Sequence, residues 1–390
     1  MGRLFPTLFL SVIPLRHTTE SGQAHRTLMD KNAVRIKDIA AKANVSVGTV
    51  DRVLHNRGRV SEEVRQKVLT MMQELNYEPN MIARTLGSNR TYQLAALQPD
   101  HTLDPYWQAP WDGIEKAARE LKQYGINLTS YPYSLTEVGS FLAQAEAATL
   151  ARPDGILIAP LFYRESLAFF ARWQQQGIPF VLFNTYIAEL PALSYVGQDS
   201  YQSGYLAGKL VQVGQPQPST FLIAHIAEDL TNSLHITQKE RGFRDYFAQL
   251  AAAQEALPPE ERARNPYTIL SVELPNPAEP SFARQFARLL DEEPQLRGIF
   301  VSTSKAYEIA PYLQAYRREE IRLVGYDLLE RNIHFLREGV IDFLINQNPK
   351  KQGYRGIYAL ADLLVFKKEV APLKYLPLDI ITRENLQYYL

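Results

Sequence analysis

A chain of 390 residues, 46% hydrophobic and 22% charged, is too long for one compact core and has the composition of a globular protein with two or three domains. It contains no cysteine, which excludes disulfide frameworks, cysteine nucleophiles and thiolate metal sites and fits the cytoplasmic location that we expect. The 42 basic and 42 acidic side chains balance overall, but residues 31–90 carry 11 Lys and Arg against 6 Asp and Glu, a net +5. A basic segment on an otherwise acidic chain is typical of nucleic-acid binding.

An apolar run at residues 4–15 loosely resembles a short secretory signal. It is too short to span a membrane as a helix, Pro6 and Pro14 interrupt it, and no clear small-residue cleavage site follows. We therefore interpret residues 1–32 as a disordered extension, or as one that is not translated if synthesis starts at Met29. No contact with a membrane is expected.

Three short helices are predicted next from the helical spacing of apolar residues: Val34–Ala43, Val47–Leu54 and a third that follows Ser61. Ser46 and Ser61 are residue types that cap helix N-termini. Two short helices joined by a three-residue turn form a helix-turn-helix, whose second helix can enter the major groove of DNA. On spacing alone, a generic three-helix bundle with a solvated charged face is an equal alternative.

From residue 92 onward, short apolar runs alternate with longer helical patterns, which predicts parallel α/β sheets. The predicted strands are Gln93–Leu97, Gly155–Ala159, Phe180–Phe183, Thr220–His225, Gly298–Val301, Leu323–Tyr326 and Asp342–Asn346. The predicted helices between them are Trp111–Gln123, Arg164–Gln176, Tyr201–Val213, Gln238–Ala252 and Pro280–Asp291. This length is enough for two sheets of about six strands each. Leu257–Tyr267 is interpreted as a surface insertion.

The string from Val34 to Arg90 resembles the DNA-binding headpiece of the lac-repressor (LacI) family over its whole length. The pieces KDIAAKANVS, TVDRVL, VSEEVRQKV, ELNYEPN and IARTL stand in the order and spacing of that family. The resemblance implies a helix-turn-helix domain at residues 33–78, followed by a hinge helix and linker at residues 79–91. It implies a transcriptional regulator, usually a repressor, that binds a pseudo-palindromic double-stranded DNA operator as a homodimer.

The resemblance assigns roles to individual side chains of the second helix. Val47, Gly48 and Arg52 stand at base-reading positions, where an arginine pairs with guanine and a valine touches a thymine methyl group. Gly48 has no side chain, so specificity there depends on its neighbours or on DNA shape. Asp51 replaces the usual serine, and His55 stands where asparagine is common. Since a carboxylate near phosphates is costly, Asp51 is expected to point inward or to accept from a cytosine amino group.

Other residues of the headpiece are expected on the DNA backbone and at the operator centre. The hydroxyls of Ser46, Thr49 and Ser61 match positions that bond phosphates, which set register and carry no sequence information. The segment from Asn80 to Leu86 resembles the hinge helix, in which Leu86 would wedge into the minor groove and bend the duplex. A plain linker is the alternative. The expected hinge contacts are Asn80, Ala83 and Leu86.

Residues 92–390 resemble, more loosely, the periplasmic-binding-protein-like core of the same family. Such cores have two α/β lobes joined by three crossings, which we place near residues 197, 347 and 373, and they bind a ligand in the cleft between the lobes. The residues implied at the ligand are Tyr106, Trp107, Asn184, Asp199, Lys239, Asp327 and Gln347. Carboxylates that accept hydrogen bonds from hydroxyls, with amides and an amine that donate, suit a sugar as the effector.

Each of these ligand contacts has a plainer alternative. Trp107 would otherwise pack within a lobe, Asp327 would cap a turn, and Lys239 would be a surface charge. Lys239 also stands where the family usually has arginine, so the bidentate clamp on sugar hydroxyls is in doubt.

Two other functions match part of the sequence. A periplasmic solute-binding protein would use the same core, and the apolar N-terminus favours it slightly, but such a protein has no use for a DNA-reading headpiece. The motifs G-x-G-x-x-G, G-x-x-x-x-G-K-[ST], G-x-S-x-G and H-E-x-x-H do not occur. We therefore expect no enzyme, no catalytic residue, no cofactor and no metal site.

Overall fold

The structure is a computed structural model that describes residues 34–54, 57–75, 77, 90–215, 219–255 and 267–390. The chain divides into two compact units, Met1–Asn80 and Met81–Leu390. The predicted fold class is confirmed: the first unit is a helical headpiece, and the second has two α/β lobes with mostly parallel sheets. The predicted extension at residues 1–32 and all but the end of the predicted hinge lie outside the described residues. The exact domain boundaries therefore stay predictions.

The described part of the headpiece contains three helices, α1 Ile36–Ala43, α2 Val47–Leu54 and α3 Glu62–Glu74. Their inward faces meet in a core of Ile39, Ala40, Ala43, Val50, Val53 and Val68. The chain turns from α1 to α2 at Asn44, whose left-handed φ of 51° is a conformation that asparagine tolerates. The prediction starts α1 two residues early, because the backbone N–H of Arg35 donates to the Asp38 carboxylate at 2.8 Å and caps the helix.

The first lobe is built on a parallel sheet of six strands in the described chain, in the order β11-β5-β4-β3-β1-β2. The strands are β1 Tyr92–Pro99, β2 Ile126–Tyr133, β3 Gly155–Ile158, β4 Phe180–Phe183, β5 Ser194–Gly197 and β11 Leu373–Tyr375. The helices are α4 Gln108–Leu121, α5 Val138–Leu150, α6 Tyr163–Gln175 and α12 Pro349–Leu364. Alternate residues of a strand serve opposite faces: Leu94 packs with α4 and α12, and Ala95 with α5 and α6.

The second lobe repeats this arrangement, with its six described strands in the order β12-β10-β9-β8-β6-β7. The strands are β6 Ser219–Ile226, β7 Tyr267–Leu274, β8 Leu296–Val301, β9 Arg322–Tyr326, β10 Phe343–Asn346 and β12 Asp379–Ile381. Only β12, antiparallel to β10, departs from the parallel pattern of these strands. The helices are α7 Ser200–Gln212, α8 Leu234–Glu255, α9 Pro280–Glu292, α10 Ala306–Ala315 and α11 Glu330–Arg337. Helices α7 and α8 cover one face, and α9, α10 and α11 cover the other.

The chain passes between the lobes at residues 198–199, 347–348 and 376–378. The first two crossings lie where the sequence predicts them, and the third lies slightly beyond the predicted position because residues 373–375 form the edge strand β11. The predicted surface insertion also ends one residue too late, since Tyr267 already pairs in β7, and the rest of it lies outside the described residues. Among the described helices, none has the length and apolar content needed to cross a membrane.

Candidate DNA-reading helix and effector cleft

The predicted base-reading residues lie on the outer face of α2, opposite the valines that this helix contributes to the headpiece core. Val47 is 51% exposed, although an isolated apolar side chain gains nothing from contact with water. Gly48, Asp51 and Arg52 are exposed beside it. The exposure of Asp51 excludes the inward orientation and leaves the carboxylate on the face that would meet DNA.

Gly48 is not required by the packing of the headpiece itself. A methyl group added at this position would meet nothing closer than Ser46 Oγ at 3.8 Å and Arg52 Nη2 at 4.0 Å, which are ordinary contact distances. Room for a side chain is therefore present in the free headpiece. This observation favours a reason for glycine that lies outside the headpiece, such as the close approach of a partner surface.

The hydroxyls predicted at phosphates also cap helices. Ser46 Oγ accepts a hydrogen bond from the backbone N–H of Thr49 at 3.1 Å and lies 2.9 Å from Thr49 Oγ1. Ser61 Oγ accepts from the backbone N–H of Val64 at 3.4 Å. Both hydroxyls thus lie at helix N-termini, where the backbone favours anions. The remaining predicted DNA contacts, His55, Asn80, Ala83 and Leu86, lie outside the described residues.

The effector cleft contains two polar residues with unusual backbone conformations, one from each lobe. Asn184 follows β4 with a φ of 65°, and Asp327 follows β9 with a φ of 62°. Both residues are buried. Asparagine and aspartate adopt this left-handed conformation more readily than other non-glycine residues, and such strain concentrates at functional sites.

Asp327 is the centre of a buried polar network in the second lobe. Its side chain is 1% exposed and accepts hydrogen bonds from Ser304 Oγ at 2.8 Å, from the backbone N–H of Gln347 at 3.2 Å and from Gln347 Nε2. Burial raises the pKa of this carboxyl, and the Ser304 hydroxyl and the charge of Lys239 act against that rise. These contacts hold Gln347, at the second crossing, against the end of β9.

Lys239 is a buried cation of the cleft, which excludes the interpretation as a surface charge. It is 3% exposed, and its Nζ donates to the carbonyl oxygen of Ser302 at 3.0 Å and lies 3.7 Å from the ring centroid of Tyr326. Burial lowers the pKa of Lys239 to about 8, and the nearby carboxylates of Asp327 and Glu228 oppose that change. A single ammonium therefore interacts electrostatically with two acidic groups.

Asn184 connects the first lobe to the second crossing. Its Nδ2 donates to Tyr106 Oη at 2.8 Å, and its backbone N–H donates to Gln352 Oε1 at 3.0 Å. Gln352 Nε2 then donates to the carbonyl oxygen of Gln347 at 3.0 Å. The structure thus brings Tyr106, Asn184, Lys239, Asp327 and Gln347 to the strand ends that bound the cleft.

Trp107 and Asp199 have structural roles in the lobes, so ligand contact by either stays a prediction. Trp107 is 3% exposed and packs edge-on against Tyr106 and Phe183, with ring centroids 4.9 and 6.0 Å away. Asp199 is half-buried and caps α7 by accepting from the backbone N–H of Gln202 at 2.9 Å. The packing of Trp107 within its lobe favours the plainer alternative for that residue.

Several polar groups of the cleft escaped the sequence analysis. They have buried side-chain atoms that find no hydrogen-bond partner within the described parts of the chain: Gln98 Oε1, Gln198 Oε1 and Nε2, His235 Nδ1 and Thr303 Oγ1. Their position in the sequence could have identified them, because Gln98, Gln198 and Thr303 stand at or just after the ends of strands. Glu228, whose pKa is raised by burial, stands two residues after β6 and could have been identified in the same way.

The two lobes also touch through residues that lie outside the crossings. Asn232 of the second lobe accepts from the backbone N–H of Arg164 at 3.0 Å and donates from Nδ2 to Glu165 Oε2 at 3.0 Å. Leu234 packs against the apolar core of the first lobe. The lobes are therefore closed on each other, and the cleft residues are enclosed between them.

Comparison with known proteins identifies both units. The family model of bacterial regulatory proteins of the lacI family matches residues 35–80, and the model of the periplasmic binding protein domain matches residues 96–368. A solved structure from Bacteroides fragilis, assigned to the LacI transcriptional regulators, is 32% identical and superposes with a TM-score of 0.68 over 77% of this chain and 100% of its own. The chain belongs to the LacI family of bacterial regulatory proteins.

Other relatives agree with this assignment. The sucrose operon repressor of Pediococcus pentosaceus is 27% identical over 75% of this chain and 82% of its own length. The transcriptional regulator DegA of Bacillus subtilis is 34% identical over 45% of this chain and 50% of its own. The glucose-galactose binding protein GanP of Geobacillus stearothermophilus, 23% identical with a TM-score of 0.62 over 76% of this chain and 99% of its own, shares the fold of the core. This LacI-family protein is thus a DNA-binding transcriptional regulator with a periplasmic-binding-type effector domain.

The stability of this LacI-family regulator is expected to depend on pH through His235. Burial and the charge of Lys239 lower the pKa of His235 to about 3. An unfolded chain has a histidine pKa near 6.5, so between pH 6.5 and 3 it binds a proton that the folded protein does not. The free energy of unfolding therefore decreases as the pH falls below about 6.5. His235→Asn should make that decrease shallower, by up to about 1.4 kcal/mol per pH unit.

Urea unfolding of the effector unit in the full chain at pH 7, 6, 5 and 4.5 measures this slope. His334→Asn is the matched control, because His334 is exposed on α11 and the same substitution there should leave the slope as it is. Equal slopes in all the proteins would show that the environment of His235 does not oppose its protonation.

Proposed function

We propose that this regulator is a repressor that binds a pseudo-palindromic operator as a homodimer in the cytoplasm, with its operator affinity controlled by a sugar in the effector cleft. On this proposal the cleft binds its ligand without transforming it, as in relatives that are named as regulators. The supporting observation is the convergence of Asn184, Lys239, Asp327 and Gln347 from both lobes on one enclosed cleft. Hydrogen-bonding side chains gathered at strand ends between lobes suit a polyol. The sucrose operon repressor among the relatives supports the same ligand class.

Control by ligand follows from the two-lobed construction. A ligand that binds the closed lobes more tightly than the open lobes shifts the population toward the closed state. If only one of these states binds the operator tightly, the ligand changes the operator affinity. The size of that change is set by the difference between the ligand's affinities for the closed and the open lobes. A coupling of about 1–3 kcal/mol would change operator affinity roughly 5–150-fold.

For the DNA-binding half, we propose that Val47, Gly48 and Arg52 read bases and that Ser46, Thr49 and Ser61 bond phosphates. Supporting observations are the exposure of the first three residues on one face of α2 and the placement of both serine hydroxyls at helix N-termini. Asp51 shares the exposed face and is proposed to accept from a cytosine amino group. For His55, Asn80, Ala83 and Leu86, the proposed DNA contacts rest on the family resemblance alone.

The proposed function is tested by selecting duplexes from a random library and measuring their affinity by fluorescence anisotropy. The best duplex and its scrambled version are compared at two salt concentrations, with and without a panel of mono- and disaccharides. We expect preference for the selected duplex, weaker binding at high salt, and a change with at least one sugar. Failure to bind any duplex in a salt-sensitive way would contradict the proposal.

Arg52→Ala is expected to remove the preference for the selected duplex while leaving binding to the scrambled duplex and to the sugar nearly unchanged. A bidentate arginine contact with guanine contributes about 1–3 kcal/mol of discrimination, so the preference should fall by about 5–150-fold. Arg119→Ala is the control, since Arg119 is an exposed arginine of α4 in the other unit and its removal changes the net charge equally. A preserved preference in Arg52→Ala would exclude a base-reading role for this residue.

A further inference from the structure

The polar atoms around the cleft indicate the charge of the effector. The amide atoms of Gln198, Oε1 of Gln347 and Oγ1 of Thr303 are buried, and they have no hydrogen-bond partner within the described residues. Leaving buried polar groups unpaired costs about 1–3 kcal/mol each, so a set of them in one place points to a ligand that supplies partners.

These groups stand at the same edge of the two sheets. Gln198 forms the first crossing, Gln347 forms the second, and Thr303 follows the end of β8. His235, whose buried Nδ1 is also unpaired, lies one helical turn before Lys239, so the two side chains share a face of α8. All of them therefore belong to the edge of the two sheets at which Lys239 and Asp327 also lie.

Gln198 is fixed in a way that leaves its side chain available. The hydroxyl of Tyr195 donates to the carbonyl oxygen of Gln198 at 2.7 Å and lies 3.1 Å from the carbonyl oxygen of Asn184. The backbone of Gln198 is thereby tied to the end of β4, while its 1% exposed side chain has both amide atoms unpaired. Since both atoms lack partners, this statement does not depend on which way the amide is turned.

The unpaired atoms belong to uncharged groups, and most of them accept hydrogen bonds. The amide oxygens of Gln198 and Gln347 only accept, the Thr303 hydroxyl donates or accepts, and Gln198 Nε2 donates. A ligand with several hydroxyl groups satisfies such a set, because each hydroxyl donates one hydrogen bond and accepts others. A phosphate or carboxylate, which lacks protons to donate near neutral pH, would leave the acceptors unpaired.

The charges that surround the cleft already offset one another. The charge of Lys239 interacts with the carboxyl groups of Glu228 and Asp327, Lys305 also interacts with Glu228, and Asp104 adds a further acidic charge near Glu228. The acidic groups outnumber the cations in this set, so an added anion would not find an unbalanced positive charge. The charge of an anionic ligand would therefore be buried without a partner, which is costly.

We propose that the effector is an uncharged polyol, held in part by Gln198, Gln347 and Thr303, and that the cleft rejects sugars that carry a phosphate or carboxylate group. This inference rests on the proposed function, since it specifies the class of sugar that the effector domain takes. Gln198 then determines specificity, because it supplies both a donor and an acceptor to the hydroxyl groups.

The test is isothermal titration of the full chain with glucose, galactose, fructose, ribose and sucrose, and with glucose 6-phosphate, ribose 5-phosphate, glucuronate and galacturonate. The best ligand should be uncharged, and its charged counterparts should bind at least about 10-fold more weakly. A charged sugar that binds more tightly than its uncharged counterpart would overturn this inference and leave the proposed function intact. If no sugar binds and none changes DNA affinity, the sugar-responsive part of the proposed function fails and this inference fails with it.

A variant tests the role of Gln198 separately. Gln198→Leu should weaken the best uncharged ligand by about 10-fold, since it removes hydrogen bonds that are made only in the complex. Gln314→Leu, the same substitution at an exposed position of α10, should leave the affinity unchanged. Equal affinity in Gln198→Leu and the unmodified protein would exclude Gln198 from the site. The ligand panel needs no variant, so it tests the charge of the effector even if Gln198→Leu does not fold.

Discussion

Asp327→Asn is expected to weaken effector binding by about 30-fold or more, because the loss of a buried, hydrogen-bonded charge that interacts with a buried opposite charge costs about 2–5 kcal/mol. The carboxylate of Asp327 is buried, accepts from Ser304 and Gln347, and offsets the ammonium of Lys239. An asparagine turns one acceptor into a donor that would face the donors of Gln347. The backbone should not change, since asparagine tolerates the left-handed conformation found here.

Isothermal titration with the best sugar, together with thermal unfolding, measures this effect. Asp342→Asn is a matched control, because Asp342 accepts from the backbone N–H of Leu323 at the opposite end of the same strand pair. That variant should lose stability without a matching loss of affinity. In Asp327→Asn/Lys239→Met both charges are absent, so part of the stability lost in Asp327→Asn should return, as expected for coupled residues. Affinity within about 3-fold of the unmodified protein, less than 1 kcal/mol, would show that Asp327 does not hold the ligand.

The elements that the sequence predicts well are those whose local pattern and tertiary environment agree. The three helices of the headpiece have apolar residues at helical spacing, the second and third begin directly after a serine, and their observed limits differ little from the predicted ones. The central strands β3 and β4 are short, fully apolar runs that are buried on both faces.

The strands that the sequence analysis missed depend on tertiary pairing. The edge strand β11 has three exposed residues and is a strand only because it pairs with β5. The edge strands β2 and β7 mix polar and apolar residues because one side of each has no neighbouring strand in the described sheets. No local signal identifies such segments, since their hydrogen-bond partners lie far away in the sequence.

The candidate site also has residues that the sequence indicates and contacts that depend on the tertiary structure. Asn184 and Asp327 stand directly after apolar strands, so their position in the sequence already indicates the cleft. The contact between Asn232 and Arg164 joins residues 68 positions apart in two lobes, and it depends on how the lobes close. Trp107 shows the opposite case, in which the residue type suggests a sugar-stacking ring but packing against Phe183 accounts for the side chain.

A second large effect is expected where helices α7 and α8 cross behind the cleft. A methyl group added to Gly204 would lie 1.8 Å from the carbonyl oxygen of Lys239, and one added to Gly242 would lie 1.9 Å from that of Tyr201. Since the clashing atoms belong to the backbone, side-chain rotation cannot relieve the overlap. The first lobe has the same kind of close helix contact, because a methyl group on Gly113 of α4 would lie 2.0 Å from the carbonyl oxygen of Lys350 in α12. In both lobes, glycine permits close contact between two helices. In the second lobe α8 contains the cleft residue Lys239, and in the first lobe α12 begins directly after the second crossing.

Gly204→Ala should therefore lower the free energy of unfolding by about 3 kcal/mol, at the upper end of the usual cost of overpacking, and should also weaken sugar binding. The second effect follows because the overlap pushes away the backbone of Lys239, whose ammonium lies in the cleft. Urea unfolding and titration with the best sugar measure the two effects. The control is Gly139→Ala in α5, where an added methyl group meets nothing within 4 Å and should stabilise the helix by about 0.5–1 kcal/mol. If Gly204→Ala were as stable as Gly139→Ala, the close contact between α7 and α8 would not be what positions Lys239.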